Sequence, residues 1–209
     1  MTGTTPLSLD HIRKALATPH HPIRHLPPGW RRAAVLLPLQ PGPNGWTLLF
    51  TRRTALVRTH KNQISFPGGR VDPADESLAA TALRETHEEL GIPPQAVQLL
   101  GRLDDVQTRV SRYLVTPFVG TIPATVPLRI NPDEIAQVLH VPLRDLLDPA
   151  IYHLEWWEYE GERIPMHFYD WHGHTIWGLT AAILTDFLRR LRKQALSDSH
   201  EPEAPETGS

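Results

Sequence analysis

Residues 66–92 read FPGGRVDPADESLAATALRETHEELGI and contain the pattern that decides the fold. The glycine pair at residues 68–69 follows a short apolar segment, and glycine pairs allow tight turns and close backbone approach. Asp75 is a favourable N-cap residue and Gly91 a favourable C-terminal cap, so the stretch predicts a helix over residues 75–90. A glycine pair alone usually marks only a turn, but a strand, a glycine pair, an acidic loop and a glutamate-rich helix in this order are a much rarer combination.

Three glutamates share one face of this predicted helix, because Glu85, Glu88 and Glu89 stand at positions i, i+3 and i+4. Like charges at this spacing cost about 0.2–0.5 kcal/mol per pair, and the helix dipole disfavours anions in the last turn. A hard cation such as Mg²⁺ would reverse both penalties. The alternative is an exposed acidic face that pairs locally with Arg84, and the helix alone leaves both interpretations open.

A basic segment precedes the acidic helix, since residues 51–71 contain no Asp or Glu. Its candidates for binding phosphate groups are Arg52, Arg53, Arg58, His60 and Lys61. Taken singly, each is equally compatible with a solvated surface charge. Next to the glutamates, the segment predicts a phosphate clamp beside a divalent-metal site.

The composition excludes several classes of protein. The chain has 209 residues, a formal net charge of −2 and no cysteine. This charge argues against binding nucleic acid mainly through the phosphate backbone, and the lack of cysteine excludes disulfides, thiolate zinc sites and a cysteine nucleophile. No segment approaches the roughly 18 apolar residues of a membrane span, and residues 1–9 lack the apolar core of a secretory signal. We expect a cytoplasmic protein that binds neither nucleic acid nor membranes.

The rest of the chain predicts many strands and few helices, which is typical of an α+β fold. Two hairpins are expected, one from residues 33–39 and 46–51 and the other from residues 152–159 and 163–169. Further strands are predicted over residues 63–66, 97–108, 113–122 and 136–141. Further helices are predicted after Ser8 and over residues 143–147 and 180–196.

Residues 84–92, which read RETHEELGI, resemble the signature of the Nudix hydrolases. That signature ends Arg-Glu-apolar-any-Glu-Glu-any-Gly-apolar, and Thr86 stands at the first apolar position. Its first half is a glycine, five residues, a glutamate and seven more residues. Here one extra residue is present: Asp75 has the right spacing from Gly69, and Glu76 has the right spacing from the second half. Which of the two acids takes the place of the first glutamate stays open.

The resemblance extends to one branch of the family, the coenzyme A pyrophosphatases, and covers about residues 30–190. Several segments are similar to the pattern of this branch: residues 48–53, Arg58, residues 66–69, residues 134–135 and residues 176–181. Asn62 stands where the branch usually has glycine, and Arg53 where it usually has serine.

The resemblance implies a Nudix-type α/β/α sandwich with a mixed central sheet. It also implies hydrolysis of a pyrophosphate joined to a nucleoside, with Mg²⁺ or Mn²⁺ as cofactor. Coenzyme A would be split into 3′,5′-ADP and 4′-phosphopantetheine. The implied metal ligands are Glu85, Glu88, Glu89 and Gly69. The residues implied to support the loop–helix turn are Gly68 and Arg84, and the candidate bases are Glu85, Glu88 and Glu134.

We therefore expect a Nudix hydrolase domain at residues 30–196, after an N-terminal helix and wrapping loop at 1–29 and before a disordered tail at 197–209. The expected partner is a small-molecule nucleotide, coenzyme A or a derivative, and the chain is expected to be a monomer or homodimer. One alternative is the same chemistry on ADP-ribose, a dinucleotide or a modified nucleotide. The other is a Nudix module that binds a nucleotide without turnover, and the three intact glutamates argue against it.

Overall fold

The computed structural model describes residues 7–23, 25–54, 62–108 and 111–198. Its strands are β1 (Arg31–Gly42), β2 (Gly45–Arg53), β3 (Ile64–Ser65), β4 (Gly68–Arg70), β5 (Gln98–Arg102), β6 (Val106–Thr108), β7 (Tyr113–Thr121), β8 (Ile135–Pro142), β9 (Tyr152–Tyr159), β10 (Glu162–Trp171) and β11 (His174–Trp177). Its α-helices are α1 (Leu9–Leu16), α2 (Leu78–Leu90), α3 (Leu143–Leu146) and α4 (Gly178–Asp198). Short 3₁₀ turns lie at Pro94–Ala96 and Pro149–Ile151.

A mixed sheet of eight strands forms the centre of the fold. Strand β1 pairs in parallel with β7 and antiparallel with β2 and β4. Strand β2 also pairs antiparallel with β8 and β3. The β1–β2 hairpin turns at Gly42 and Gly45, as the sequence predicts. This arrangement confirms the expected mixed central sheet.

Alternation along β1 separates the apolar side chains into two layers. Ala34 and Leu36 pack with Ala82 of α2 on one face of the sheet. Leu37 and Leu39 belong to the larger core on the other face, together with residues of α1 and α4. The sheet therefore lies between helices on both faces, which confirms the α+β class and the α/β/α sandwich.

Helix α2 begins later than the sequence predicts. Ser77 is the N-cap, because its hydroxyl accepts a hydrogen bond from Ala80 N–H at 3.1 Å. Asp75 lies before the helix and takes another role, described below, so the expected cap at Asp75 was wrong. Gly91 ends the helix in the left-handed conformation with φ of 69°, as expected for a C-terminal glycine.

Two other elements differ from the prediction. The strand expected over residues 97–108 is divided into β5 and β6 by residues 103–105, where the buried Asp105 carboxylate pairs with Arg102. The second hairpin gains a third strand, β11, and becomes a separate sheet in the order β11–β10–β9.

The last helix extends beyond the range that the sequence predicts. Helix α4 continues to Asp198, so residues 197 and 198 are helical rather than part of the disordered tail predicted from the sequence. The division of the chain at residues 29 and 196 stays a prediction. Among the helices of the described residues, none combines the length and apolarity that a bilayer span requires.

Candidate active site

The site lies where strand β4 meets helix α2. Strand β4 runs antiparallel to β1, with Gly68 opposite Val35 and Gly69 opposite Ala34. Gly68 has φ of 150°, and a Cβ there would collide with the backbone of β1. A Cβ on Gly69 would collide with the carboxylate of Glu85. The two glycines therefore allow α2 to bring a carboxylate directly against the backbone of the turn.

Glu89 is the buried carboxylate of the site, with only 3% of its surface exposed. Gly68 N–H donates to its Oε2 at 3.3 Å, and Arg53 Nη1 lies 3.8 Å from its Oε1. Burial raises the pKa of Glu89 to about 8, although Arg53 and the Gly68 N–H act in the opposite direction. In the protein alone, Arg53 and the Gly68 N–H therefore do not fully offset the cost of burying the ionised Glu89 carboxylate.

Arg84 fastens the loop before α2 to the helix. It donates from Nε to Asp75 Oδ1 at 2.9 Å and from Nη2 to Asp75 Oδ2 at 3.1 Å, a bidentate pair. The same Nη2 donates to Arg70 O at 3.1 Å. Hydrogen bonding to Arg84 holds the pKa of Asp75 well below its usual range and raises the pKa of Arg84. Glu76 is exposed, so the structure brings Asp75, not Glu76, to Arg84.

The remaining guanidinium nitrogen of Arg84 contacts two glutamates. Nη1 lies 2.9 Å from Glu85 Oε1 and 3.1 Å from Glu88 Oε2. Glu88 is half-exposed, whereas Glu85 is largely buried, and this burial raises the pKa of Glu85. Across residues 7–23, 25–54, 62–108 and 111–198, no three acidic or histidine side chains form a ready-made cation site. Arg84 instead pairs with two of the three glutamates, Glu85 and Glu88.

Glu134 reaches the same site from the loop before β8. Ile135, the next residue, lies opposite Arg53 in the β2–β8 pair, and Arg53 contacts Glu89. The charge of Glu134 contributes to the raised pKa of both Glu85 and Glu89. Thr54, at the end of β2, donates its N–H to Glu134 O at 2.9 Å. The structure therefore brings together carboxylates that are 49 or 45 positions apart in the sequence.

The comparison with protein families identifies this arrangement. The family model described as the NUDIX domain matches residues 30–160. The chain belongs to the Nudix hydrolase family. The chain is a pyrophosphohydrolase of that family. Residues 84–91, which resemble the second half of the Nudix signature and are called the Nudix box below, form the last turns of α2 and its Gly91 cap.

Two bacterial relatives are similar over most of their length. An uncharacterized Nudix hydrolase NudL from Photorhabdus laumondii is 43% identical over 173 residues, which cover 82% of this chain and 90% of the relative. A protein of the same name from Yersinia pestis is 44% identical over 158 residues, 74% of this chain and 76% of the relative.

Solved structures show the same fold at low identity. A Nudix hydrolase from M. smegmatis, RenU, has a TM-score of 0.52 and 16% identity, with coverage of 80% of this chain and 86% of that one. The MutT protein from Methanosarcina mazei Go1 has a TM-score of 0.50 and 20% identity, with coverage of 82% and 99%.

Nudix hydrolases generally use divalent metal ions, and the residues at this site fit such a group. Their donors are carboxylate oxygens and a backbone carbonyl, the hard ligands that Mg²⁺ and Mn²⁺ prefer. The raised pKa of the buried Glu89 indicates a site that a cation would stabilise in its ionised form. Glu85 and Glu89 already lie beside residues 68–69. Metal binding by Glu85 and Glu88 would compete with their contacts to Arg84.

The basic residues proposed for phosphate binding divide into two groups. Arg53 lies at the site beside Glu89. Arg52 directly precedes Arg53 in β2, and its buried Nε has no hydrogen-bond partner among the described residues. Arg58, His60 and Lys61 lie outside the described residues. Sequence reasoning missed Asn131, whose Asn-Pro-Asp-Glu context is typical of a side-chain-stabilised turn and would have pointed to the placement of Glu134.

Proposed function

We propose that this Nudix hydrolase cleaves the pyrophosphate of coenzyme A or its derivatives and requires Mg²⁺ or Mn²⁺. Water would attack one phosphorus atom, the bridging P–O bond would break, and the products would be 3′,5′-ADP and 4′-phosphopantetheine or its acyl form. The observation that carries the chemistry is the meeting of Glu85 and Glu89 at the Gly68–Gly69 turn. The coenzyme A assignment depends on the resemblance of residues 48–69 to that branch.

The conformation of Asn62 supports this substrate assignment. Its φ is 59°, in the left-handed region that glycine and asparagine adopt most readily. Asparagine at this position therefore keeps the backbone shape that the usual glycine of the branch would give. We infer that the departure at Asn62 is conformationally conservative and does not mark a different substrate.

The proposed roles follow the contacts of each residue. Glu85, Glu88, Glu89 and the Gly69 carbonyl would hold the metal, which neutralises pyrophosphate charge and lowers the pKa of a bound water. Arg53, already at Glu89, would bind a phosphate oxygen. Arg84 supports the turn through Asp75.

Glu134 is our choice of general base. It is half-buried, its charge acts on Glu85 and Glu89, and its backbone accepts a hydrogen bond from Thr54 N–H. Glu85 and Glu88 remain the other candidates, but both pair with Arg84 and both are proposed to bind metal. A base that is not a ligand keeps its carboxylate available for a proton.

A substrate panel tests the proposal. The purified chain is incubated with coenzyme A, ADP-ribose, a dinucleotide or a nucleoside triphosphate, each with Mg²⁺ or Mn²⁺, and products are identified by mass. Release of 3′,5′-ADP with clear preference for coenzyme A supports the proposal. Preferred cleavage of ADP-ribose or a dinucleotide would reassign the substrate within the same chemistry. Nucleotide binding without hydrolysis under all conditions would instead indicate a non-catalytic module.

The substrate class, cellular location and oligomeric state complete the proposed function. The substrate is a small nucleotide rather than a nucleic acid, and we propose the cytoplasm as the location. A monomer and a homodimer are both compatible with it, and size-exclusion chromatography with light scattering distinguishes them.

A further inference from the structure

The loop at residues 129–135 is fastened to the end of α2. Arg129 N–H donates to Leu90 O at 2.8 Å, and Asn131 N–H donates to Glu89 O at 3.0 Å. Gly91 makes this approach possible, because a Cβ there would lie 2.6 Å from Arg129 Cβ. The glycine of the Nudix box thus caps the helix and also admits the loop that carries Glu134.

Asn131 makes most of the internal contacts of this loop. Its carbonyl accepts hydrogen bonds from Glu134 N–H at 3.2 Å and from Ile135 N–H at 2.9 Å. Its side-chain Oδ1 accepts from Asp133 N–H at 3.1 Å, and its Nδ2 lies 3.5 Å from Glu134 Oε1 as a long donor contact. Asn131 therefore contacts both the backbone and the carboxylate of Glu134.

The opposite side of the loop is tied to β2. Thr54 N–H donates to Glu134 O, and Thr54 Oγ1 donates to Asp133 O at 3.2 Å. The backbone of Glu134 is consequently held between α2 and β2. Within this frame, Asn131 Nδ2 is the side-chain donor that the structure shows on the Glu134 carboxylate. This contact engages Oε1 of that carboxylate.

We propose that Asn131 is a positioning residue that orients the Glu134 carboxylate for proton abstraction from the attacking water. The inference rests on the role of Glu134 in the proposed function, and it goes beyond that function by assigning a task to Asn131. A base must be held within hydrogen-bond reach of its proton, and small misplacements are costly in turnover. The effect of Asn131 should therefore pass entirely through Glu134.

The test is a double-mutant cycle with Asn131→Asp and Glu134→Gln. The Asn131→Asp substitution keeps the acceptor for Asp133 N–H and the shape of the side chain, but it replaces the donor with a like charge beside Glu134. The assay uses the substrate that the wild type hydrolyses fastest in the panel, so failure of the coenzyme A assignment leaves the cycle usable. Asn131→Ser, which keeps a short turn acceptor without a charge, is the second variant.

The proposal predicts a specific pattern of kinetic constants. Asn131→Asp and Asn131→Ser should each lower kcat about tenfold or more, with KM changed less than about twofold and the melting temperature nearly unchanged. In the Glu134→Gln background, neither should lower kcat further. Asp133→Asn, which removes an exposed charge from the same loop, is the matched control and should keep wild-type turnover.

Other outcomes would overturn the proposal. An equal fractional loss in the Glu134→Gln background would show that Asn131 acts elsewhere. Near-wild-type turnover of both Asn131 variants would show that the contact is dispensable. Full activity of Glu134→Gln would remove the base itself while leaving the pyrophosphatase function intact. Absence of hydrolysis with every substrate would instead overturn the proposed function.

Discussion

Gly69 and Glu85 are in such close contact that the carboxylate of Glu85 occupies the space where any other residue at position 69 would place its Cβ. The glycine is needed for this approach and not for an unusual φ angle, since its backbone lies outside the left-handed region. The contact joins the glycine turn after β3 to the face of α2 and defines the centre of the candidate metal site.

Gly69→Ala should therefore impair the site without unfolding the chain. The added methyl group displaces the Glu85 carboxylate, so we expect at least about a tenfold loss in kcat/KM and weaker metal binding. Steady-state kinetics over a range of Mg²⁺ concentrations measure both effects. Gly42→Ala, in the β1–β2 turn, is the control and should keep wild-type activity. Equal activity of the two variants would contradict the role of the contact.

Glu88→Gln and Glu89→Gln should each lower turnover by orders of magnitude, because each removes a charge from a proposed ligand. The fold should persist: Glu88 is half-exposed, and a neutral amide at position 89 still accepts from Gly68 N–H. Turnover and melting temperature without metal are the measurements. Glu76→Gln, on the exposed acid before α2, is the matched control. Near-normal turnover of both ligand variants would refute the metal assignment.

Asp75→Asn should destabilise the chain by about 2 kcal/mol at neutral pH, because it breaks a bidentate pair with Arg84. The folded-state pKa of Asp75 lies below its unfolded value, so its contribution is full above pH ~4 and is lost as the pH falls further. The stability gap between wild type and variant, measured by urea unfolding, should therefore begin to narrow below pH ~4 and keep narrowing as the pH falls toward the folded-state pKa of Asp75. A gap that keeps its neutral-pH size at pH ~3 would contradict the pairing.

Comparison of Gly91→Ala with Gly161→Ala separates the cost of backbone strain at positive φ from the cost of a steric clash with a neighbouring residue. Both residues have positive φ, but a Cβ at 161 meets nothing within 4 Å, whereas one at 91 meets Arg129. Gly161→Ala should cost about 1 kcal/mol of backbone strain and leave turnover unchanged. Gly91→Ala should cost more and also lower kcat, because it displaces the loop that carries Glu134. Equal effects of the two substitutions on stability and turnover would refute this role of Gly91.

Local sequence patterns predict much of the fold, but they do not predict features that depend on tertiary contacts, such as the N-cap of α2. The β1–β2 hairpin and the Gly91 cap follow from turn and cap chemistry that acts within a few residues. Asp75 and Ser77 are both favourable N-caps. The selection of Ser77 depends on Arg84, which engages Asp75 from the next turns of the helix.

The candidate site was likewise only partly predictable from local sequence patterns. The spacing of Glu85, Glu88 and Glu89 places them on one helix face, but spacing alone does not show that Arg84 pairs with both Glu85 and Glu88. The placement of Glu134 near Arg53 depends on the local Asn131 turn and on the long-range pairing of β2 with β8. The third strand β11 was not predicted; it pairs with β10, and its Ile176 is buried in the core with residues of α4.

The central claim is that the glutamates of the Nudix box bind the divalent ion on which hydrolysis depends. Titration of Mn²⁺ into the purified chain, followed by the electron paramagnetic resonance signal of the free ion, tests it without requiring turnover. We predict that the wild type binds Mn²⁺ and that Glu88→Gln and Glu89→Gln each weaken binding by about tenfold or more, since each removes a ligand charge. Wild-type affinity in both variants would contradict the account.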